Sequence, residues 1–455
     1  MGEIPIPLDI AERTPLMRTE WMASVRKMRE RDDAPLWNVS VGDRIRAEDL
    51  EWLRGFDEEL KAGAAGGGAA FDRAAWASRL ATRSDYAARA LSGIDADANW
   101  ESIPLMERVD IRDKLREIIP RDESLDRLIV NPTSGTTGIP VKVPSSIRAQ
   151  GAYDPLIQLA LGLNGVRADY GPGVVAAIQL CRQARTIVYN CVHSFLEGAG
   201  FAKVNLDAGG WRRSGHAKSW IEAMESVFLS GDPLAWSALL DAGIQPRPRA
   251  FLSTAMRLEA GLREELEKRF CCPVVDFYSS SETGPMAATV PDRPGEFLQL
   301  PHDIYLEVVD DQGCVLAEGE TGEIAVTGGR NPYVPLLRYR TGDRESVSRR
   351  EGRTWLTLSE TRRPLLFSLP GGRELNPVDV ARVMRSYPVR FHQCIQGADG
   401  SFRVRVAGEG LDLWSRDLEA ELCSLLGRGV TLAIEALARM PEGKLDPYII
   451  ESRSE

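Results

Sequence analysis

Apolar and polar positions along this chain change period several times, and each change marks an element. Around Trp21-Met22-Ala-Ser-Val25-Arg-Lys-Met28 the apolar residues recur at helical spacing, which predicts an amphipathic helix within a charged, Trp-containing opening segment over 1–60. Gly63-Ala-Ala-Gly-Gly-Gly-Ala-Ala70 then interrupts the pattern; so many glycines make ordering costly, and the segment reads as a surface loop. From 145 to 345 short apolar runs alternate with amphipathic stretches. Gly173-Val-Val-Ala-Ala-Ile-Gln-Leu180 reads as a buried strand, Leu252 to Leu266 as a helix, and Pro273-Val-Val-Asp-Phe-Tyr278 as a second strand. Such alternation predicts βαβ units and a mixed, mostly parallel sheet, in which ligands collect at the carboxyl ends of the strands. The run Tyr278 to Glu282 falls at such an end.

The last ninety residues predict the order β-α-β-β-α-β. Pro364 to Leu369 reads as a strand, Asn376-Pro377 as the cap and first residue of a helix carrying Val380, Val383 and Met384, and Phe391 to Ile395 as a strand running to an Asp399-Gly400 hairpin. Phe402, Val404 and Val406 alternate on the return strand. Leu411, Trp414, Leu418, Leu422 and Leu425 make a helical stripe, and Val430 to Ile434 reads as the last strand. The expected fold is therefore α/β: a large N-terminal domain over 1–361 and a small ferredoxin-like α+β domain over 362–455.

Composition narrows the function. At 455 residues the chain exceeds one ordinary core. A net charge of −10 argues against broad nucleic-acid binding, which needs a basic face. Seven cysteines without a C-x-x-C spacing suit a reducing compartment. No run approaches eighteen apolar residues, the start Met-Gly-Glu-Ile-Pro-Ile-Pro resembles no leader, and Ile6 does not suit a myristoylation site; a cytoplasmic location follows as the expectation.

The densest chemistry lies in Asn131-Pro-Thr-Ser-Gly-Thr-Thr-Gly-Ile-Pro-Val-Lys142. Gly135 and Gly138 let backbone N–H groups turn toward an anion, the hydroxyls of Thr133, Ser134, Thr136 and Thr137 add donors, and Lys142 adds a charge: a phosphate cradle without the Walker spacing. As an isolated feature it is equally a Ser/Thr-rich surface loop. Gly171-Pro-Gly173-x-x-Ala176 superficially fits a dinucleotide fingerprint but precedes a strand instead of opening a helix.

Three further segments stand in order behind the cradle: Asp276-Phe-Tyr-Ser-Ser-Ser-Glu282, Leu337-Arg-Tyr-Arg-Thr-Gly-Asp343 and Met440-Pro-Glu-Gly-Lys444. Together they resemble the phosphate loop, the Y-G-x-[ST]-E motif, the R-Y-[RK]-T-G-D motif and the closing lysine of the adenylate-forming superfamily, in its phenylacetate-CoA ligase-like branch. Trp100 to Lys114 is similar to that family's leader into the phosphate loop. The resemblance implies a mobile small domain and a set of roles. Glu282 is implied as the Mg²⁺ ligand, Tyr278 as the adenine platform, Asp343 as acceptor for the ribose hydroxyls, and Lys444 as the bridge between substrate carboxylate and α-phosphate. Thr137 is implied beside Lys444 and Glu282 in catalysis, and Ser281 and Arg362 beside the nucleotide. The residue types suit these roles, with an oxygen ligand for a hard ion, an acceptor-only carboxylate for a diol and a flexible ammonium on a moving domain. A strand-end core aromatic, a turn aspartate and a solvated lysine are the ordinary readings of the same residues.

Two departures are visible. Ser279 stands where the family has glycine, and Thr361-Arg362-Arg363-Pro364-Leu365 keeps an arginine of the hinge signature but replaces its acidic pair. Family position also brings Tyr189 to Phe195 and Ser253 to Met256 toward the acid, so that His193, Phe195, Ser253, Thr254 and Ser279 are the expected pocket. With no carboxylate standing out as an amine receptor, an aromatic or otherwise apolar acid is favoured. The implied reaction is ATP-dependent activation of that acid to an acyl-adenylate with release of pyrophosphate, then transfer to a thiol. ATP, Mg²⁺ and CoA are the expected cofactors, and a homodimer is the default assembly. The altered hinge keeps open transfer to a carrier-protein thiol or an amine; a nucleotide-binding module without chemistry is a separate alternative, against which the retained Lys142, Glu282, Asp343 and Lys444 stand.

Overall fold

The structure is a computed structural model, which describes residues 6–64, 71–132, 141–300, 302–360, 365–384, 386–408, 411–437 and 446–451. Its frame is a twelve-stranded mixed sheet. In spatial order the strands are Ile304–Val309, Thr321–Gly328, Leu336–Arg350, Arg353–Glu360, Phe297–Gln299, Gly284–Thr289, Val274–Ser280, Ala250–Thr254, Phe228–Gly231, Val175–Cys181, Ala199–Asn205 and Tyr189–His193. Parallel pairing is confined to the block from Val274–Ser280 to Ala199–Asn205. Every other ladder in the sheet is antiparallel, so the parallel share is smaller than the βαβ pattern predicts. The reason is connectivity: among the described residues no helix lies between the strands from Gly284 to Glu360, whereas parallel neighbours need a crossover connection, usually a helix.

Both faces of the parallel block are covered, as its nearly continuous apolar strands require. On one face Trp220, Trp236, Leu239 and Leu266 pack from the helices His216–Met224, Pro233–Asp241 and Ala260–Phe270 against Ile178, Leu180 and Phe251. On the other, Leu53, Phe56, Ile147, Leu156 and Ala160 pack from Ala47–Ala64, Ile147–Gly151 and Tyr153–Leu163 against Ala177, Leu252 and Phe277. Asp232 caps the helix Pro233–Asp241 by accepting from the Ala235 N–H at 2.8 Å, with Pro233 in the first turn where its missing donor costs nothing. The helix expected over Leu252 to Leu266 divides: Ala250–Thr254 is a central strand, Ala255 turns the chain with a φ of 71°, and the helix runs Ala260–Phe270. Placement between two parallel neighbours overrides the helical spacing there.

The C-terminal region holds a four-stranded sheet ordered Leu432–Ala436, Phe402–Gly408, Val389–Gln396, Tyr448–Ile450, with its own core of Phe367, Val404, Trp414, Leu418 and Leu422. The predicted element order is present. The first strand, Phe367–Leu369, stands apart from that sheet: it folds back through Pro370, Gly371 and Gly372 to pair with Arg373–Leu375. Leu432–Ala436 is followed by Tyr448–Ile450, which adds in parallel to the opposite edge. The small sheet thus differs in strand pairing from the ferredoxin-like expectation.

Candidate functional site

The strand Val274–Ser280 ends at a tight turn that returns as Gly284–Thr289. Ser280 Oγ accepts the Thr283 N–H at 3.2 Å and lies 3.0 Å from Thr283 Oγ1, which fixes the turn. Gly284 has a φ of +69°, and a Cβ there would lie 3.1 Å from Arg330 Nη1, so glycine serves both the backbone and the arginine behind it. Two motifs separated by more than sixty residues in sequence meet at this strand end. The Tyr278 hydroxyl donates to Asp343 Oδ2 at 3.1 Å. Burial, followed by the charges of Asp343 and Glu345, pushes the Tyr278 phenol well above its ordinary range, so it stays a donor. The Asp343 turn is held by Glu323, which accepts the Gly342 N–H at 2.8 Å and pairs with Arg340 Nε at 2.8 Å.

Glu282 is 3% exposed. Its Oε1 lies 2.9 Å from Arg108 Nη1, close enough for charge pairing but outside hydrogen-bond alignment, and it is a buried oxygen with no directed hydrogen bond among the described residues. Burial first, and then Glu282, raise the Tyr339 phenol well above its usual value, while Arg108 opposes the shift; the three groups are in mutual contact. The neighbouring Tyr153 phenol is raised by burial, with Arg330 lowering and Glu282 raising it. Arg338 of the same motif serves the fold. Fully buried, it pairs with Glu307 at 2.8 Å and donates to the carbonyls of Ile103 at 2.7 Å and Glu101 at 2.9 Å, tying the leader to the sheet.

These groups line one end of a cavity of about 1950 Å³, which runs along the carboxyl ends of the parallel strands and against the C-terminal region. Arg108, Tyr153, Thr254, Tyr278, Ser279, Ser281, Glu282, Tyr339 and Asp343 contribute to it, and Pro377, Arg382 and Tyr448 close it from the other side. Sites for single small molecules are usually ~300–1,000 Å³, so this space accommodates more than one ligand. No group of three or more His, Cys, Asp or Glu is placed to hold a metal among the described residues. A Mg²⁺ ion needs fewer protein ligands when nucleotide phosphates complete its shell, and the buried Glu282 oxygen fits that arrangement.

Of the expected site residues, Tyr278, Ser279, Ser281, Glu282, Asp343 and Thr254 come together in this cavity. Lys142 lies exposed at the start of the strand Lys142–Ser145. Thr133, Ser134, Gly135, Thr136, Thr137, Gly138, Arg362 and Lys444 lie outside the described residues. Three pocket expectations are corrected. Ser253 is fully buried on the opposite face of its strand and accepts from Trp236 Nε1 at 3.2 Å. His193 sits on the edge strand with Nδ1 2.9 Å from both Asp154 oxygens and stacks on Phe201, and Phe195 packs beside Tyr170 and Val174; neither lines the cavity. Burial lowers the His193 pKa, but Asp154 and Cys191 outweigh it and hold the ring well above its ordinary value, as a structural ion pair.

The cavity also holds Arg108, Tyr153, Gln179, Lys203 and Asp232, none of which the sequence pattern singles out. Arg108 lies in the leader segment, where its spacing carries no sign of a partner 174 residues away. Lys203 offers a faint signal: it is a lone charge in the apolar strand Ala199–Asn205.

The sequence model of a family described as AMP-binding enzyme matches residues 72–331. Protein CapK of Staphylococcus aureus is 34% identical over 96 residues, 21% of this chain and 20% of CapK, so the chain matches about a fifth of that relative's length. Among solved structures, 2-hydroxyisobutyryl-CoA ligase, in complex with 2-HIB-AMP and CoA in the thioesterification state, superposes with a TM-score of 0.49 at 15% identity, covering 90% of this chain and 91% of that one. The amide bond synthetase McbA from Marinactinospora thermotolerans gives 0.40 at 19% identity over 70% and 67% of the two chains. The anthranilate CoA ligase AuaEII gives 0.35 at 16% over 69% and 64%. No helix among the described residues is long and apolar enough to cross a membrane.

Proposed function

The chain belongs to the AMP-binding enzyme family, and from that premise we propose that it activates a carboxylic acid with ATP, forming an acyl-adenylate and pyrophosphate, and then passes the acyl group to a thiol, CoA in the first instance. The observation that carries this reading is the meeting of Tyr278, Asp343 and Glu282 in one cavity.

Asp343, fixed by Tyr278 and the Glu323-held turn, offers carboxylate oxygens to the ribose hydroxyls. Tyr278, buried at the cavity wall, would be the platform on which the adenine stacks. Glu282 is the residue that would hold Mg²⁺ together with the nucleotide phosphates; bound there, the ion would neutralise charge on those phosphates. Arg108, paired with Glu282 and lining the same cavity, would add a second positive charge for the phosphates. Thr137 and its neighbours in the 133–138 loop would cradle the phosphates together with Lys142, and Arg362 would reach the ribose. Lys444 would bridge the acid carboxylate and the α-phosphate. The substrate carboxylate oxygen attacks the α-phosphorus, the bond from that phosphorus to the bridging oxygen breaks, and pyrophosphate departs. The thiol then attacks the acyl carbon and AMP leaves. The large domain over 1–361 and a small domain over 362–455 that turns between the two steps complete the reading.

Carboxylate-dependent pyrophosphate release, run with ATP and Mg²⁺ over a panel of acids and with hydroxylamine as trap, tests it. Pyrophosphate and hydroxamate are expected. ADP and phosphate would replace the adenylate with an acyl phosphate and overturn the reading.

A further inference from the structure

Away from the adenosine residues, the cavity is lined by Gln179, Cys181, Lys203 and Asp232. Gln179 and Lys203 are direct register partners on adjacent parallel strands, so their side chains leave the sheet on the same face and side by side. Both are half-buried, and neither side chain makes a hydrogen bond or ion pair among the described residues. The other charges nearby are already engaged. Asp232 lies within range of the Lys203 charge without a hydrogen bond to it; burial, the larger effect, raises its pKa, and it accepts the Ala235 N–H at 2.8 Å as a helix cap, while Arg382 pairs with Asp379 at 2.8 Å and with Gln183 at 2.9 Å. An ammonium and an amide thus point together into a ligand cavity with their hydrogen-bonding capacity unused, and a half-buried cation gains most from an anionic partner.

We propose that the acid activated by this protein carries a second carboxylate, seated on Lys203 and Gln179, while its first carboxylate is adenylated. This rests on the carboxylate-activation reading above and names the substrate class. Four strand spacings of roughly 4.8 Å separate Val274–Ser280 from Ala199–Asn205, roughly 19 Å across the sheet, so the acid is an extended or ring-bearing dicarboxylate and not one the size of malonate. The apolar acid favoured by the sequence survives only as the spacer between two charged ends.

The test pairs each diacid with its own monomethyl ester, using hexadecanedioate, whose extended chain matches that span, against suberate and malonate, in the full-length protein and in Lys203→Met and Gln179→Leu. The expected wild-type preference in kcat/KM for the diacid over its ester is on the order of 10²-fold, because a polar group left unpaired in a built site is rejected strongly. Lys203→Met should bring that ratio close to one, and Gln179→Leu should reduce it in part. Thermal shift with the diacid alone gives a readout that needs no chemistry: stabilisation in wild type, none in Lys203→Met. Equal activity on diacids and esters, or a ratio untouched by Lys203→Met, overturns the proposal while leaving adenylation intact. Diacid binding that depends on Lys203 without pyrophosphate release under any condition keeps the site and removes the adenylation reading. A Lys203→Met effect confined to KM for CoA, and absent with pantetheine, would assign the anion to the acceptor's phosphates and also overturn it.

Discussion

Asp379, on the helix Pro377–Met384, accepts the backbone N–H of Ala184 at 2.8 Å, across a boundary of 195 residues. The same carboxylate approaches the Arg185 N–H at 3.4 Å, Asn376 Nδ2 donates to the Arg182 carbonyl at 3.0 Å, and Arg382 donates to Gln183 at 2.9 Å. With the Arg182–Glu374 ion pair at 2.9 Å, these contacts dock the C-terminal region onto the loop that follows the strand Val175–Cys181. Burial raises the Asp379 pKa and the bonds from Ala184, Arg382 and Arg185 lower it; burial prevails. Asp379→Ala should leave the Ala184 amide without its acceptor, at a cost of about 1–3 kcal/mol to the docked arrangement. Amide hydrogen exchange at Ala184 and Arg185 should accelerate by roughly tenfold or more, while the sheet core stays protected; unchanged exchange would show that the contact does not hold the two parts together.

Removing Asp343 tests the nucleotide end. Asp343→Ala deletes the acceptor proposed for the ribose and strands the buried Tyr278 hydroxyl. KM for ATP should rise roughly 10- to 100-fold, in line with about 1.5–3 kcal/mol for a hydrogen bond to a charged group. The wild-type KM in the variant would remove Asp343 from the site.

Lys444→Ala is expected to lower the pyrophosphate-exchange rate by on the order of 10²-fold, the scale for losing one charge-stabilising donor in the transition state. Hydrolysis of a supplied acyl-adenylate offers the control, since that substrate has already passed the step. A near-normal exchange rate would exclude the assignment.

Breaking the Arg108 and Glu282 pair should act through divalent cation dependence. In Glu282→Gln the carboxylate charge is gone while the shape remains, and the Mg²⁺ concentration for half-maximal activity should rise about tenfold or more, with weaker Mn²⁺ binding by electron paramagnetic resonance in the presence of nucleotide. Unaltered Mn²⁺ binding would place the ion elsewhere.

Asp276 gives a pH signature. Burial pushes its carboxyl up from 3.8 to about 6, against the lowering effects of Arg263 and the Phe277 N–H. The folded state therefore binds the proton more tightly than the unfolded chain, and stability falls as pH rises from about 4 to about 6. Asp276→Asn should raise stability above pH ~6 by about 1–2 kcal/mol, discounted from the full linkage for the lost attraction to Arg263, and the gain should vanish near pH ~4. Urea unfolding at both ends of that range measures it; a gain independent of pH would assign the effect to packing.

Much of this molecule is legible in order along the chain. The buried strand at 173–180, the strand entering Tyr278 and the element order of the C-terminal region follow from period and turn chemistry, because those signals are local. The motifs at 276–282 and 337–343 carry their chemistry in consecutive residues, so Tyr278, Glu282 and Asp343 stand out from the order of amino acids alone. Pairing is different. The 252–266 stretch has helical spacing, yet its first residues are a central strand, since two parallel neighbours offer more than local propensity does. His193 and Ser253 belong to motif-like surroundings, but the face of the strand on which each lies sends one to Asp154 and the other to Trp236. Arg108, at the start of the helix Arg108–Asp113, meets Glu282 in the turn after Ser280 because the leader is bridged at Met106 to Tyr339, and Gln179 meets Lys203 because their strands are neighbours in the sheet. Local pattern determines which elements form and which residues can do chemistry. Register and strand order, which depend on contacts between distant segments and on which face is buried, decide which of those residues share a cavity.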